Sequence, residues 1–374
     1  MSTPTGTPEI PEEVRRFLTD AKRHHYVAEF HQRRFSSAPA EEHPQIHRLD
    51  VRTGKTSRTS TINSCVIQHH NTFYEVPGLP RGFAEAVLST VEADAAPVVG
   101  KLVAAQPISE KEEVALALFV YFQQQRTPRG REYLNFMLEQ GAKYWMLKQI
   151  YEGRDVHRSI LVEELGREPT EDEIAASIKA WSEDFETGRR RALPTRDHEV
   201  GAMFISADKA VPVILGMSWS LIEACPGEAF ILSDEPLLRV DATHPGASSG
   251  WLSSPTVEAT LPLDPQLLLL MRPLPQLGRE RVTAHPGQVM GFNLRTYASA
   301  REFILGPTQG LLQKVRIAAK KDPAMVASFR QRPPSVHLLD STVGDRVLPT
   351  VTTTRGPTTV TIRRHRESSG RQRQ

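Results

Sequence analysis

Cysteine is almost missing from this chain: Cys65 and Cys225 stand alone, in unrelated contexts and without a Cys-x-x-Cys or Cys/His spacing. A disulfide framework and a structural zinc site are therefore excluded as organising devices, and both residues read as packing. An excess of charge is missing too. The 46 Lys and Arg nearly cancel the 44 Asp and Glu, leaving +2, so no global field draws the chain to nucleic acid or to an anionic membrane. No apolar run approaches the roughly 20 residues that a bilayer-spanning helix needs. Residues Met1 to Pro11 lack the basic-then-apolar order of a secretory signal. These absences lead to the expectation of a soluble cytoplasmic protein with no membrane partner. No fixed-period repeat is visible, and strand and helix patterns do not alternate as a doubly wound sheet requires.

What is present is ordinary globular composition, 39% hydrophobic and 24% charged over 374 residues, enough for one large domain or two modest ones. Residues 1–20 read as a mobile lead-in that becomes a short helix at Pro11-Glu12-Glu13-Val14, with proline in the favoured first turn and acids at the positive helix end. His47 to Val51 and Thr59 to Ile62 flank Thr53-Gly54-Lys55, a turn between β-prone segments, and predict a hairpin. Phe73 to Val76 reads as a further strand. From Arg81 to Arg191 the pattern is helical. Ser109-Glu110-Lys111-Glu112 forms a capping box before the apolar run Val114 to Phe122, and Thr127-Pro128 ends that helix and opens the next. Thr170-Glu171-Asp172-Glu173 forms a second box. The surrounding string Leu165 to Ala175 resembles a short piece of bacterial sigma factors, but capping chemistry alone selects much of it, and it reads as a capped surface helix.

After Arg191 the chain is expected to turn β-rich, with strands at Trp219–Glu223, Ala229–Leu232, Thr256–Leu261, Leu267–Met271 and Glu302–Leu305 and a helix at Asn293–Arg301. Beyond Asp340, Thr, Arg, Ser and Gly dominate and predict a disordered basic tail over 341–374. The resulting expectation is an α+β fold. A helical middle segment packs on a mixed or antiparallel sheet built from the N-terminal hairpin region and the C-terminal third, as a single domain over 21–340.

Two places can carry chemistry. In Arg23-His24-His25-Tyr26-Val27-Ala28-Glu29-Phe30, two adjacent imidazoles in an extended run face opposite sides, so one can enter a pocket while the core holds the other. In Ala229-Phe230-Ile231-Leu232-Ser233-Asp234-Glu235-Pro236, a buried strand delivers a hydroxyl and a carboxylate at its end, where Pro236 stops the ladder. Local turn hydrogen bonds explain Ser233 and Asp234 equally well. If His25 meets Asp234, the carboxylate fixes the imidazole tautomer and raises its basicity, as a general base or a metal-bound histidine requires. Arg126, at the end of the apolar helix, is either an anion clamp, a C-terminal helix cation or a buried partner for Asp234. His69-His70-Asn71 has no matching acid in sequence and reads as surface or loop.

Arg-His-His-Tyr-Val at 23–27, Phe30, Phe35, Phe73-Tyr74, Gln125-Arg126-Thr127-Pro128, Trp219, Phe230 to Pro236, Leu261 to Pro265 and Asn293 occur in the order of a bacterial domain-of-unknown-function family, which the chain resembles over about residues 22–306. That family reads His-His-Tyr-Val-Pro-Gln near its start and Ser-Asp-Asn-Pro late in the chain. This chain departs from it at Ala28-Glu29 and Glu235, adding negative charge. The resemblance implies a shared site through His24, His25, Arg126, Ser233 and Asp234, with Asn293 beside them, and it gives no reaction.

Two functions compete. The first is a nuclease-like hydrolase of a phosphodiester, nucleic acid or another, with one divalent metal ion. His25 is then the base, His24 and Asp234 the metal ligands, Arg126 the stabiliser of developing charge, and His24, Ser233 and Asn293 the binding residues. The alternative is a non-catalytic ligand-binding or regulatory protein in which the His-Asp-Arg cluster is structural.

Overall fold

The computed structural model describes residues 9–191, 193–241, 255–273, 280–329, 337–343 and 346–352. The expected lead-in before residue 9 and the basic tail after 352 lie outside the described residues. In chain order the elements are α1 (Glu12–Arg15), β1 (Arg23–His25), α2 (Glu29–Arg34), β2 (Gln45–Asp50), β3 (Thr56–Ser60), β4 (Val66–Gln68), α3 (Phe83–Val103), α4 (Glu110–Gln125), α5 (Pro128–Glu152), α6 (Arg154–Leu165) and α7 (Glu171–Glu186). They continue with α8 (Arg196–Ile205), α9 (Ala207–Leu215), β5 (Ser218–Ala224), β6 (Leu232–Ser233), β7 (Leu238–Asp241), β8 (Val257–Asp264), β9 (Leu267–Arg272), β10 (Arg281–Ala284), α10 (Pro286–Ser299), β11 (Phe303–Gly306), α11 (Gln309–Lys321), α12 (Pro323–Phe329), β12 (His337–Val343) and β13 (Arg346–Thr352). This is an α+β fold.

Contacts group the chain into two compact units, residues 1–134 with 196–333 and residues 135–195 with 334–374. The first holds two main sheets where one was expected. The five-stranded sheet, in the order β10-β5-β9-β8-β7, is antiparallel except at its parallel β10–β5 edge. Side chains alternate across it with the period of two that strands impose. Trp219, Leu261, Leu269 and Met271 enter a core with Val99, Leu116, Phe119, Val120, Met203 and Ile214 from α3, α4, α8 and α9, while Ile222, Leu268 and Leu270 pack with Val289 of α10 on the other face.

The four-stranded sheet, β3-β2-β11-β6, brings the N-terminal hairpin together with strands from the far end of the sequence. Leu49, Ile231 and Ile304 meet α10, α11 and α12 on one side. Tyr26, Val27, Phe35, Ile46, Cys65, Leu232 and Phe303 form a second core. Burial pushes the Cys65 thiol up to about 12, so it packs as an inert group.

The second unit has its own core of Leu147, Ile150, Ile174, Ile178 and Phe185 on α5 and α7. Both capping boxes form: the Ser109 and Thr170 hydroxyls each accept from the amide three residues on, and their own backbone amides donate to the carboxylate of that glutamate. Three expectations change. Phe73–Val76 is not a strand; β4 forms nearby at 66–68 and pairs with β1. Helices persist after Arg191 as α8 and α9, because Val200, Met203, Val211 and Ile214 keep a helical spacing of buried residues. β12 and β13 form a hairpin that runs into the segment beyond 340.

Candidate functional site

The junction between α4 and α5 is where the buried polar groups collect. Thr127 Oγ1 accepts from the Gly130 amide at 3.1 Å and donates to the Gln124 carbonyl at 3.0 Å, capping α5 while closing α4. A Cβ at Gly130 would lie 2.1 Å from the Gln124 carbonyl oxygen, so only glycine permits this tight hand-over. From this corner, side chains enter two networks.

Asn71 is the centre of the first. Its backbone N–H donates to His24 Nδ1 at 2.8 Å, its Nδ2 donates to Glu85 Oε2 at 2.8 Å, and its Oδ1 accepts from Arg131 Nη2 at 2.6 Å. His24, on the buried face of β1, also donates from Nε2 to the Ala21 carbonyl at 2.8 Å. Its proton is therefore on Nε2, and both ring nitrogens are used. Nδ1 also lies 3.8 Å from Glu85 Oε2, but an ion pair would need a proton where the Asn71 amide already points. Burial raises the pKa of Glu85, against the opposing pull of His24 and Asn71.

Arg126 is 2% exposed. It pairs through Nη1 with Glu92, donates from Nη2 to Gln123 Oε1 at 2.7 Å, and leaves Nε without a partner among the described residues. Gln123 in turn bridges the Tyr26 carbonyl and the Ala28 amide, both at 3.0 Å. His70 donates from Nε2 to the Arg126 carbonyl at 2.6 Å. Burial, with Arg131 nearby, lowers its pKa to about 4 and keeps it neutral. The sequence reading of His69-His70-Asn71 as surface needs correction: His69 takes a positive φ of 53° that turns the chain, and His70 and Asn71 are buried. The matching acid, Glu85, comes from α3.

The second network is built around the end of β6. Asp234 accepts from three successive amides, Arg301 at 2.9 Å, Glu302 at 2.7 Å and Phe303 at 3.2 Å, and so holds the turn between α10 and β11. Burial outweighs these bonds and raises its pKa to about 6. Ser233 makes a local turn, donating to the Glu235 carbonyl at 2.8 Å and accepting from the Glu235 amide at 3.2 Å. Glu235 accepts the Arg129 amide at 3.1 Å in the first turn of α5. Asn293 uses both ends of its amide on the segment before β6, accepting from Ile231 N at 3.0 Å and donating to Ala229 O at 2.8 Å.

His25 lies on the opposite face of β1 from His24, and its Nε2 meets the Thr61 carbonyl at 3.2 Å. Among the described residues no hydrogen bond joins His25, Asp234 and Arg126 to one another. His24 shares a network with Asn71, Glu85 and Arg131, Arg126 pairs with Glu92 and Gln123, Asp234 clasps the 301–303 turn, and His25 bonds to Thr61. Among the described residues no group of three His, Cys, Asp or Glu side chains could hold a metal ion. His24 and Asp234 do not fit the expected ligand pair, since the imidazole has no lone pair left to offer. Among the described helices none is long and apolar enough to cross a membrane.

The residues running from β1, where His24 and His25 sit, through the α4–α5 corner to the Ser233-Asp234 turn and Asn293 fall inside a single family match over residues 23–309, described as a protein of unknown function, DUF4238. This chain belongs to that family. No curated protein and no solved structure matches the chain. Within the DUF4238 region, the residues that sequence reasoning missed are Asn71, Glu85, Glu92 and Arg131. Each was hidden because its partner is distant in sequence.

Glu235 gives this family member a measurable pH response. Burial raises its pKa from 4.5 to about 7 and that of Asp234 from 3.8 to about 6. At these two carboxyls the fold holds more protons than the unfolded chain between about pH 4 and 7, so their contribution to stability falls as pH rises through that window and levels off above it, while His31 and His70, both lowered to about 4, contribute with the opposite sign. Glu235→Gln keeps the acceptor for the Arg129 amide and removes the ionisation. It is expected to raise stability at pH 8 by up to about 3 kcal/mol relative to wild type and to leave pH 4 nearly unchanged. Urea unfolding at the two pH values measures this; equal changes at both would show that ionisation is not the cause.

Proposed function

We propose that the protein is a cytoplasmic, non-catalytic ligand-binding or regulatory protein, in which His24, Asp234 and Arg126 build the scaffold and take no part in turnover. The observation that carries this reading is the engagement of both His24 ring nitrogens by backbone groups of Ala21 and Asn71. A base or metal ligand needs a free lone pair. The three amides on Asp234 and the near-complete burial of Arg126 support the same reading, because a catalytic constellation has to present its groups to a substrate. Cys65 and Cys225 are both free thiols, which suits a reducing compartment.

The competing reading is a metal-dependent phosphodiester hydrolase with His25 as base. Its discriminating feature is that His25 is half-buried and that its ring forms one hydrogen bond among the described residues. Purified wild type and His25→Ala are to be assayed side by side on single-stranded DNA, RNA and a chromogenic phosphodiester with Mg²⁺, Mn²⁺ or Zn²⁺, with thermal unfolding as the control for folding. The expected result is no hydrolysis that His25→Ala removes, and a folded variant. Hydrolysis by wild type that disappears in a folded His25→Ala would establish the enzyme and end the scaffold reading.

A further inference from the structure

Among the described residues a cleft of about 250 Å³ opens at the β10 edge of the five-stranded sheet, on the face that meets α3 and α4. Its walls are Leu102 near the end of α3, Ile108 from the turn into α4, Trp219 and Leu221 on β5, and Leu269 on β9. Trp219 and Leu221 stand two apart on one strand and Leu269 pairs with Leu221 on the next, so all three share a face. The Trp219 Nε1 donates to the Ile214 carbonyl at 2.9 Å. The indole therefore bounds the cleft as hydrocarbon alone.

Two features hold the cleft open. Ala105 takes a positive φ of 56°, a left-handed conformation that a side chain disfavours, and turns the chain from α3 towards Gln106 and Ile108. Arg281 of β10 is a strut across the end: its Nη1 donates to the Leu102 carbonyl at 2.8 Å and its Nε to Glu223. Glu223 and the negative end of α3 between them answer the Arg281 charge. The strut therefore does not call for an anion. Gln106 and Glu280 complete the mouth and supply hydrogen-bonding groups.

Apolar walls that face one another across a gap forfeit dispersion contacts, and water between them finds few polar partners. A flat apolar ring restores those contacts. The volume falls just short of the roughly 300–1,000 Å³ of sites for drug-sized ligands, which suits one ring or two fused rings, and an indole wall favours an aromatic one. We propose that this cleft binds a small uncharged aromatic molecule whose N–H or O–H group is met by Gln106 and Glu280 at the mouth. The assignment gives a ligand class to the binding protein proposed above and rests on that reading.

The test is titration calorimetry of the full chain with indole, and then with indole-3-ethanol, indole-3-acetate and tryptamine, whose arms are similar in size and differ in charge. Indole is expected to bind with a Kd below about 1 mM, and each charged compound about threefold or more weakly than indole-3-ethanol. Leu221→Trp fills the cleft and is expected to weaken indole binding by about tenfold or more. Ile108→Ala removes one wall from a turn, where folding is least at risk, and is expected to weaken it by about fivefold. Thermal unfolding checks that both variants fold. No binding by wild type, tighter binding of either charged compound than of indole-3-ethanol, or an unchanged Kd in folded Ile108→Ala would overturn the site. Such a failure leaves the non-catalytic reading standing, because that reading is carried by His24 and is ended only by His25-dependent hydrolysis.

Discussion

Replacing Asp234 by alanine is expected to lower the unfolding free energy by about 3–5 kcal/mol, close to the upper range for a single substitution. The carboxylate satisfies three consecutive amides at the start of β11, and β11 is the strand that joins the N-terminal hairpin to β6. Alanine leaves all three donors buried and unmatched, each costing about 1–3 kcal/mol, partly relieved by water. Asp234→Asn keeps two of the three acceptor geometries and is expected to cost about half as much at pH 4, the cost shrinking as pH rises through about 6 because the variant has no buried ionisation. Urea unfolding measures both. A loss below about 1 kcal/mol in Asp234→Ala, with an unchanged denaturant slope, would show that the clasp does not hold this turn. The hydrolase reading predicts a different outcome for the same variants: a stable protein without activity.

Asn71→Ala is expected to cost about 2–4 kcal/mol. The substitution keeps the backbone amide that fixes the His24 tautomer and removes two side-chain bonds, one to Glu85 and one to Arg131. Arg131 is 6% exposed and its Nε has no partner among the described residues, so losing the Asn71 oxygen leaves its guanidinium with the Glu199 carbonyl as its remaining hydrogen-bond partner among them. The double-mutant cycle of Asn71→Ala with Arg131→Met isolates that bond, with a coupling of about 1–3 kcal/mol expected. A coupling near zero would mean that Asn71 and Arg131 act independently.

Local chemistry made much of this fold legible. The two capping boxes, the proline that opens α5 and the turn at Thr53-Gly54-Lys55 depend on neighbours within a few residues, and each element formed where those residues predicted it. The continuous apolar runs of Leu267 to Met271 and of α4 likewise reported burial directly. The misses share one cause. Ala229–Leu232 has strand composition, yet Asn293 takes the Ile231 amide and the Ala229 carbonyl, Pro265 takes the Phe230 amide, and the ladder begins only at Leu232. At the candidate site, the residue types were visible and their partners were not. His24 and Asp234 each look equally fit for a base or for a clasp until Asn71, Ala21 and the 301–303 amides are seen beside them.

The carboxylate that meets the first turn of α5 comes from a residue 106 positions later in the chain. As the polypeptide leaves the ribosome at about 5–20 residues per second, Glu235 follows Arg129 by about 5–20 s. For that interval the helix start has Thr127 alone to close it. The α4–α5 corner can therefore be completed only after β6 has emerged, which places its locking among the late events of biosynthesis.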